Sequence, residues 1–361
     1  MSCTREAVTE CHATLCGMPE YVILVLPSAN RVYAASSPAL LRAELAALGA
    51  GLSAEVSAIE EIELGGVGYV KFACAAPLGE RDLALLSNLS SLYALFELGD
   101  GVLRPVAVHP LAKADSDLLT IQKYPGKTNE QFTKLLLNLT LLATSRPADW
   151  PDRELHVLDP LCGRGTTLNQ AVMYGFDATG LDVDARDFEA YEQFVKTWLR
   201  TKRVKHTAES GQLRRNKVRL GRRLDIEYAF DKDDYKAGRT RRLSYLNADT
   251  LTTDEVLRPA SVDLIVTDAP YGVQHGSHRD TGLARSPRDL LAAAIPVWNR
   301  VLRPGGALGI SWNTHVLPRE ELVAILERAG LAVRSGGPYE ELAHRVDQAI
   351  VRDLVVAGKP V

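Results

Sequence analysis

A chain of 361 residues is longer than most single hydrophobic cores require, so two domains are expected. Its 46% hydrophobic and 24% charged residues are typical of a soluble globular protein, and its longest apolar runs are far too short to cross a bilayer. Five cysteines without a Cys-x-x-Cys pair argue against a disulfide framework and a zinc site, which favours a reduced, cytoplasmic protein. The acidic Glu6 and Glu10 near the start disfavour a secretory signal.

The formal net charge of −3 hides a strong separation of charge along the chain. Residues 196–242, here called the basic segment, hold 16 Lys and Arg against 6 Asp and Glu, a net of +10. The remaining residues therefore carry −13. A basic segment on an acidic protein localises polyanions, which points to a nucleic-acid partner. The alternative is a solvated, partly disordered loop with scattered charge.

The first part of the chain predicts a small α+β domain over residues 1–112. After a loose leader of 20 residues, its predicted elements are strands at 21–26 and 31–35, a helix from Ser37 to Gly49, strand-like alternation over 56–75 and a helix from Leu83 to Leu98. This domain has 6 Lys and Arg against 12 Asp and Glu, so on its own it is not suited to binding phosphate backbones.

A second domain over residues 113–361 follows a proline-containing linker near 105–117. Strand patterns alternate there with helical ones, and the predicted strands are 155–159, 178–182, 243–247, 262–267, 305–311 and 349–356. That alternation predicts an α/β fold with a mostly parallel sheet covered by helices on both faces.

A tight turn follows the first of these strands. It passes through Gly163 and Gly165 into a helix expected to begin near Thr166. Glycines permit unusual backbone angles and close approach of a ligand, and a helix N-terminus offers N–H groups to a carboxylate. A dinucleotide fingerprint would have a third glycine where Leu168 stands. The turn predicts a bound ligand, with a strand-to-helix turn that binds nothing as the alternative.

Two more strands deliver carboxylates to the same predicted edge. Asp182 ends strand 178–182, where it could accept hydrogen bonds from both hydroxyls of a ribose. Asp249 follows strand 243–247 and could accept from an adenine amino group. Each could be an ordinary surface carboxylate, but open α/β sheets bind their ligands at the carboxyl ends of the strands.

The fourth strand leads into Asp268-Ala269-Pro270-Tyr271-Gly272. Asp268 and the main-chain carbonyl of Ala269 could accept both N–H bonds of an exocyclic amine and draw its nitrogen toward tetrahedral geometry. Pro270 would fix the direction of that carbonyl, and Tyr271 would stack on a flipped or unpaired base. The alternative is a proline-containing turn with a buried aromatic residue.

These motifs together resemble those of the Rossmann-like amino-methyltransferases. Within that group they are most similar to those of the THUMP-associated tRNA guanosine N2-methyltransferases. The segment 127–133 is similar to the family segment at the methionine end of the cofactor, with Thr133 as the contact. Residues 344–349 and the strand that follows them resemble the family's closing hairpin. The resemblance covers roughly residues 113–361. It is specific for the methyltransferase class and less specific for the substrate.

The resemblance implies a class I methyltransferase sheet, S-adenosylmethionine as cofactor, and direct methyl transfer to a base amino group without a metal. The guanosine N2 of tRNA is the first candidate acceptor. The implied cofactor contacts are Thr133, Asp159, Pro160, Gly163, Gly165, Thr166, Thr167, Asp182, Val183 and Asp249. The implied catalytic residues are Asp268, Ala269, Pro270 and Tyr271, and the implied substrate contacts are Tyr271, His275, Arg214 and Arg215. No membrane partner is expected.

The sequence departs from the family pattern in three places. Ala269 replaces the first proline of the usual Asp/Asn-Pro-Pro-Tyr but keeps the carbonyl. The short acidic N-terminal domain is only faintly similar to the region that links the RNA-binding THUMP module in relatives, and the long basic segment is unusual. Methylation of DNA adenine N6 or cytosine N4, methylation of a small amine, and a non-catalytic RNA-binding module are the alternative functions.

Overall fold

The computed structural model describes residues 17–215, 217–270 and 286–361. The chain divides into two units, residues 1–110 and 111–361, whereas the sequence placed the boundary between residues 112 and 113. In the described part, the first unit contains a five-stranded sheet and the second a ten-stranded sheet. None of the helices described is both long and apolar enough to cross a membrane.

The first unit is an antiparallel sheet with two helices. Its elements are β1 (Glu20–Val25), α1 (Arg31–Gly49), β2 (Val56–Leu64), β3 (Val67–Cys74), α2 (Glu80–Leu86), β4 (Leu92–Gly99) and β5 (Val102–Val106). The strand order is β2-β3-β1-β4-β5, and every neighbouring pair is antiparallel. The predicted α+β domain is therefore present, with the strands of 56–75 as expected.

The predicted strand at 31–35 is wrong, because helix α1 already begins at Arg31. The side chain of Asn30 accepts hydrogen bonds from the N–H groups of Val32, at 3.0 Å, and Tyr33, at 3.2 Å. This cap satisfies amide groups that a helix start leaves open, and it starts the helix six residues earlier than the Ser37-Pro38 pair suggested.

The predicted helix from Leu83 to Leu98 is also wrong, since α2 ends at Leu86 and β4 begins at Leu92. The hydroxyl of Ser87 donates to the Leu83 carbonyl at 2.6 Å, and the amide of Asn88 donates to the Ala84 carbonyl at 2.8 Å. These bonds hold the end of the helix. The apolar run that follows instead pairs with β1 on one side and β5 on the other, which is long-range pairing that local spacing does not reveal.

The second unit is built on the mostly parallel sheet that the sequence predicted. Its first elements are α3 (Asp117–Thr120), α4 (Glu130–Leu142), β6 (His156–Asp159), α5 (Thr166–Met173), β7 (Asp177–Asp182), α6 (Ala185–Thr201), β8 (Lys205–Arg215), β9 (Val218–Ala229), α7 (Lys232–Lys236) and β10 (Arg241–Asn247). They are followed by α8 (Thr253–Val256), β11 (Val262–Asp268), α9 (Pro287–Val301), β12 (Leu302–Asn313), α10 (Arg319–Arg328), β13 (Ala332–Val333), β14 (His344–Arg345) and β15 (Val351–Gly358).

Strands β12, β11, β6, β7 and β10 lie side by side and run parallel, in that order. Strand β15 joins antiparallel beside β12, and the short strand β14 pairs with β15 as the expected closing hairpin. Helices flank the sheet, and strand β11 is buried along almost its whole length. This arrangement confirms the predicted Rossmann-like α/β architecture.

The basic segment is folded, and the alternative of a partly disordered loop is wrong for the residues described. Strands β8 and β9 form an antiparallel hairpin, and β9 pairs antiparallel with β10, so the hairpin extends the central sheet. Leu224, Ile226 and Tyr228 alternate along β9 and are buried. This period of two anchors the hairpin to the core while its charged residues face outward.

The contact between α4 and the sheet depends on Gly309 of β12. A Cβ atom at this position would lie 2.0 Å from the Thr140 hydroxyl oxygen and 3.2 Å from the Thr140 Cβ. The hydroxyl is itself held by a hydrogen bond to the Leu136 carbonyl at 2.7 Å. The missing side chain therefore lets helix α4 approach the strand closely.

Replacing Gly309 with alanine is expected to lower the free energy of unfolding by roughly 1–3 kcal/mol, because the added methyl group overpacks a fixed contact. Denaturant unfolding measures the change. Gly211→Ala is the matched control, since Gly211 lies in strand β8 and an added Cβ atom there would have no neighbour within 4 Å. Equal destabilisation by both substitutions would contradict the packing interpretation.

Candidate active site

Acidic and polar side chains collect where the parallel strands end. Asp159, Asp182, Asn247, Asp268 and Asn313 are the last residues of β6, β7, β10, β11 and β12. Because these strands are parallel, all five residues lie along one margin of the sheet, here called the carboxyl edge. The glycine turn follows β6 and Asp268 ends β11, and these two strands are neighbours in the sheet.

The glycine turn has the backbone conformation that its sequence predicts. Gly163 and Gly165 both have positive φ, at 47° and 77°, and helix α5 begins at Thr166 as expected. A Cβ atom on Gly165 would lie 2.3 Å from the ring of Tyr191, so no larger residue fits. The turn therefore presents the first N–H groups of α5 toward the carboxyl edge, where they can receive an anionic group of a ligand.

Cys162 lies inside this turn and packs against β7. A Cβ atom on Gly180 would lie only 2.6 Å from its Sγ, which shows how closely turn and strand approach. Burial raises the pKa of the Cys162 thiol well above its usual range. The residue is thus a neutral packing group.

Asp182 holds the turn against the neighbouring strand. One carboxylate oxygen accepts from the Gly163 N–H at 2.9 Å, and the other accepts from the Asp184 N–H at 2.8 Å. Each carboxylate oxygen can accept a second bond, so one position on each remains for a ligand hydroxyl. Burial raises the pKa of Asp182 despite these bonds. The structure thus fixes the carboxylate, and its contact with a ribose stays a prediction.

The remaining adenosine contacts predicted from the sequence lie close by. Val183 follows Asp182 and is exposed, so it can cover a planar ring. Asp249 is exposed after β10, where its side chain accepts from the Leu251 N–H at 2.9 Å and caps a short 3-10 helix. Asp249 therefore has a structural role at the carboxyl edge, and its bond to an adenine amino group stays a prediction.

Asp159 is buried beneath the turn, with 3% of its surface exposed. One of its oxygens accepts from the Leu161 N–H at 3.2 Å. Burial raises the pKa of this carboxyl to about 7, and the nearby charge of Asp182 acts in the same direction. Pro160 continues the chain into the turn, and Thr167 is buried beside it in the first turn of α5. A bound cation would favour the ionised form of Asp159.

Tyr124 and Arg164 cover the turn, and neither was predicted from the sequence. The hydroxyl of Tyr124 lies 3.3 Å from that of Thr166, and the guanidinium of Arg164 lies 4.7 Å from the centre of the Tyr124 ring. Arg164 also donates to Asp187 of α6 at 2.8 Å. Tyr124 stands just before the segment 127–133 that the resemblance selected, and that closeness in sequence was the available hint.

Asp268 is held by hydroxyl groups from two other elements. Thr128 donates to one of its oxygens at 2.6 Å, and Ser311 of β12 donates to the other at 2.7 Å. The guanidinium of Arg352, on β15, lies 3.6 Å from the oxygen that Thr128 contacts. The carboxylate is therefore fixed in direction and has a cation beside it. None of these three partners was predicted to contact it.

Aromatic packing supports this cation. The Arg352 guanidinium lies 4.5 Å from the centre of the Phe132 ring. His344, on the closing hairpin, packs against the same ring, and the two ring centres are 5.2 Å apart. Burial lowers the pKa of His344 to about 4, so the ring is neutral at pH 7. The charge beside Asp268 therefore comes from Arg352 rather than from the histidine.

Thr133, the predicted methionine-end contact, is buried in α4 and donates to the Asn129 carbonyl at 3.1 Å. Thr128, five residues earlier, is the threonine that donates a hydrogen bond to Asp268. Asn129 caps the helix by accepting from the Phe132 N–H at 3.0 Å, which sets where the segment enters α4. The segment is thus at the site, and the specific contact of Thr133 with a cofactor stays a prediction.

Ala269 and Pro270 continue from Asp268 at the carboxyl edge. The Ala269 N–H donates to the Ser311 carbonyl at 2.8 Å, and no hydrogen bond from a described residue reaches the Ala269 carbonyl. Tyr271 and His275 lie outside the described residues.

The structure does not bring all predicted substrate contacts together. Arg214 and Arg215 lie at the end of the β8–β9 hairpin, whereas Asp268 ends β11. Both arginines belong to β8, which is five strands from β11, and this corresponds to about 24 Å at roughly 4.8 Å per strand. The two arginines therefore cannot touch the same group as Asp268, although they lie at the same edge of the sheet.

The geometry fits S-adenosylmethionine, the cofactor that the sequence predicts. The left-handed glycines and the start of α5 offer N–H groups for its carboxylate, and Asp182 has acceptor positions for its ribose. Asp159 and Asp268 add carboxylates at the ends of the neighbouring strands β6 and β11. The ring of Tyr191 fills the space that a side chain at position 165 would need, so Tyr191 supports the tight turn from behind.

Comparison with known families identifies the type of domain. Residues 142–310 match the family model UPF0020, described as an RMKL-like methyltransferase domain, and these residues include the glycine turn, Asp182 and Asp268. The chain is therefore a methyltransferase. No curated protein sequence matches it significantly.

Several solved structures are similar to the chain at low sequence identity. The N-methyltransferase NodS from Bradyrhizobium japonicum is 15% identical, with 64% of this chain and 96% of that chain covered and a TM-score of 0.36. A TehB-like S-adenosylmethionine-dependent methyltransferase from Corynebacterium glutamicum is 16% identical, with 58% and 82% covered and a TM-score of 0.32. Such scores carry no weight for function, so the fold rests on the strand order itself.

Cofactor affinity is expected to rise with pH between 6 and 8, because Asp159 has a pKa of about 7 and its ionised form attracts a cation. Between pH 6 and 8 the dissociation constant of S-adenosylmethionine should fall in the wild type, and this fall should be about tenfold larger than any fall in Asp159→Asn. Isothermal titration calorimetry at three pH values measures the difference between the two proteins. Asp233→Asn, an exposed carboxylate on α7, should behave as the wild type. An identical pH dependence in wild type and Asp159→Asn would contradict the role of ionised Asp159 in cofactor binding.

Proposed function

We propose that the chain is an S-adenosylmethionine-dependent N-methyltransferase that acts on an exocyclic amino group of a nucleic-acid base, with guanosine N2 in tRNA as the target. The observation that carries the proposal is the fixed carboxylate of Asp268. It ends the strand next to the glycine turn, and Thr128 and Ser311 hold both of its oxygens. An amine bound there would lie beside the methyl group of the cofactor.

The bound cofactor supplies a methyl group already activated by its sulfonium, so the protein needs to orient the acceptor rather than provide a nucleophile. The glycine turn and Asp182 hold the cofactor in this proposal. Asp268 and the Ala269 carbonyl hold the amine. In this proposal the two reactants are held at adjacent strand ends, the cofactor after β6 and the amine after β11.

An amino group on a base is a weak nucleophile, because its lone pair is delocalised into the ring. Two acceptors in fixed positions, the Asp268 carboxylate and the Ala269 carbonyl, would each accept one N–H and turn the lone pair out of the ring plane. As the nitrogen forms its new bond to the methyl carbon, the bond between that carbon and the sulfonium sulfur would break, and its electron pair would stay on the sulfur. The nitrogen must then lose one proton. The Asp268 carboxylate is already in contact with that N–H and would accept it.

Thr128 and Ser311 give this arrangement its precision. Each donates to one oxygen of Asp268, so the carboxylate cannot rotate freely, and Arg352 stabilises its negative charge. A hydrogen-bond acceptor that is fixed before substrate binds does not have to reorganise during the reaction. The same network would therefore favour one orientation of the amine over others.

The choice of a nucleic-acid base rests on the resemblance to tRNA guanosine N2-methyltransferases and on the basic segment. The acidic N-terminal domain favours a second candidate, a small amine-bearing metabolite, since it does not suit a phosphate backbone. Methylation of adenine N6 or cytosine N4 in DNA would use the same pair of acceptors. The tRNA base, the DNA base and the small metabolite therefore differ in what surrounds the amine rather than in the methyl-transfer reaction.

Asp268→Asn is expected to reduce kcat by about 100-fold or more, because an amide offers one acceptor oxygen where the carboxylate offers two and cannot take up the proton. Its affinity for S-adenosylmethionine, measured by calorimetry, should remain within about threefold of the wild type, since the glycine turn is untouched. Transfer of labelled methyl groups to total tRNA measures kcat. Asp233→Asn removes a carboxylate far from the carboxyl edge and should retain full activity. Full activity in Asp268→Asn would refute the role of this carboxylate.

The acceptor itself can be identified by presenting total tRNA, genomic DNA and a metabolite extract to the enzyme with labelled cofactor. We expect label in tRNA, and nucleoside mass spectrometry of cells that lack the gene should show a loss of N2-methylguanosine. Label confined to DNA or to the metabolite fraction would overturn the tRNA assignment. If calorimetry detects no cofactor binding, a non-catalytic RNA-binding module becomes the better explanation.

A further inference from the structure

Four cations lie at the end of the β8–β9 hairpin. Arg214, Arg215, Lys217 and Arg219, here called the tip cations, are all exposed. The stretch 214–219 that contains them has no acidic residue. Arg215 pairs with Val218 across the hairpin, so Lys217 lies in the turn and the three arginines lie on the strands beside it.

The tip cations lie at the same edge of the sheet as Asp268. Strand β9 runs antiparallel to β10, and its Arg222 stands opposite Asn247, the last residue of β10. Residues 218–221 therefore extend beyond the end of β10, on the carboxyl edge. A Cβ atom on Gly221 would lie 1.8 Å from the Asn247 carbonyl oxygen, so the hairpin passes directly over that strand end. The other end of the hairpin, with α7, lies at the opposite edge.

The tip is built at a cost to its own stability. Arg214 stands directly opposite Arg219, and two like charges in this position repel each other. Lys217 has a φ of 68°, a conformation for which glycine is the favoured residue in a two-residue hairpin turn. Glutamine at 214 and 219 and glycine at 217 would thus suit the fold better than the residues present.

Acidic partners do little to offset the charge of the tip. Arg215 lies 3.7 Å from Glu255, but both side chains are about half exposed, and such pairs contribute little. Arg214 donates to the neutral side chain of Gln212. Lys217 and Arg219 form no ion pair with any residue in the described part of the chain.

Seven of the twelve other cations in the basic segment form ion pairs. The pairs are Lys196–Glu192, Lys202–Asp115, Arg222–Glu189, Arg223–Asp225, Lys236–Asp233, Arg239–Asp234 and Arg241–Glu154. The other five form no ion pair with a described residue, and they lie at or just after the end of α6, in α7 and at the starts of β8 and β10, toward the opposite edge of the sheet: Arg200, Arg203, Lys205, Lys232 and Arg242. On the edge that carries Asp268, the cations of the segment without a strong acidic partner are therefore those of the tip. A surplus of charge placed at this edge suits a polyanion that runs along it.

We infer that the tip cations bind the phosphate backbone of the RNA substrate and hold it along the carboxyl edge while a base reaches Asp268. This inference rests on the proposed function. The tip belongs to β9 and β8, which are four and five strands from β11, so it lies about 19–24 Å from that strand at roughly 4.8 Å per strand. This distance corresponds to several nucleotides rather than one. The contacts are to phosphate groups, so they fix position without reading sequence.

The test is a triple variant of the tip, Arg214→Gln, Lys217→Gly and Arg219→Gln, with fluorescein-labelled total tRNA as the probe. The dissociation constant at 0.15 M salt should rise roughly fiftyfold, and the slope of log affinity against log salt should fall by about 2 to 3. The thermal midpoint should stay the same or rise, because the substitutions remove repulsion and a strained turn. A loss of affinity with a lowered thermal midpoint would count against the inference.

A matched control removes three cations from the other end of the hairpin. Lys232→Gln, Lys236→Gln and Arg239→Gln alter exposed residues in or just after α7 and change the net charge by the same amount. This variant should bind tRNA within about threefold of the wild type. An equal loss of affinity in both variants would show a general effect of net charge, and an unchanged affinity in the tip variant would refute the inference.

Kinetics separate this inference from the proposed function. The tip variant should raise KM for tRNA more than it lowers kcat, whereas Asp268→Asn should keep its affinity for tRNA and lose turnover. If the wild type binds tRNA through the tip but transfers no methyl group to it, the proposed function fails and the docking surface stands. If the wild type methylates tRNA and the tip variant has an unchanged KM, the docking surface fails and the function stands.

Discussion

The hydrogen bonds from Thr128 and Ser311 to Asp268 join parts of the chain that are far apart in sequence. They connect the segment before α4, the end of β11 and the end of β12, and Arg352 adds β15 to the same cluster. A carboxylate at a strand end is otherwise free to turn toward solvent. These contacts give it one direction, and the position of an acceptor amine relative to the glycine turn depends on that direction.

The parts of the fold that the sequence predicted are those with local causes. The glycine turn was predictable because Gly163 and Gly165 permit a conformation that other residues resist, and the start of α5 follows from it. The parallel strands were predictable because each is a short apolar run that ends in a polar residue. Parallel topology then places Asp159, Asp182 and Asp268 on one edge without further information.

The structural features that the sequence did not predict depend on contacts between residues that are far apart in the chain. Residues 92–98 have the composition of a helix or a strand, and pairing with β1 and β5 decides between the two. The hairpin in the basic segment is held by β10 and by buried residues such as Tyr228, so its charge alone left a partly disordered loop open as the alternative. Thr128 and Tyr124 are ordinary residues in the sequence, and only the folded chain brings them to Asp268 and to the glycine turn.

Cys162 illustrates a further demand on a site that handles an activated methyl group. A thiolate is a stronger nucleophile than any base amine, and one lying beside a sulfonium would become alkylated and block the enzyme permanently. Close packing against Gly180 keeps this sulfur out of water, and burial keeps it protonated. The tight turn thus keeps its own cysteine in the weakly nucleophilic thiol form.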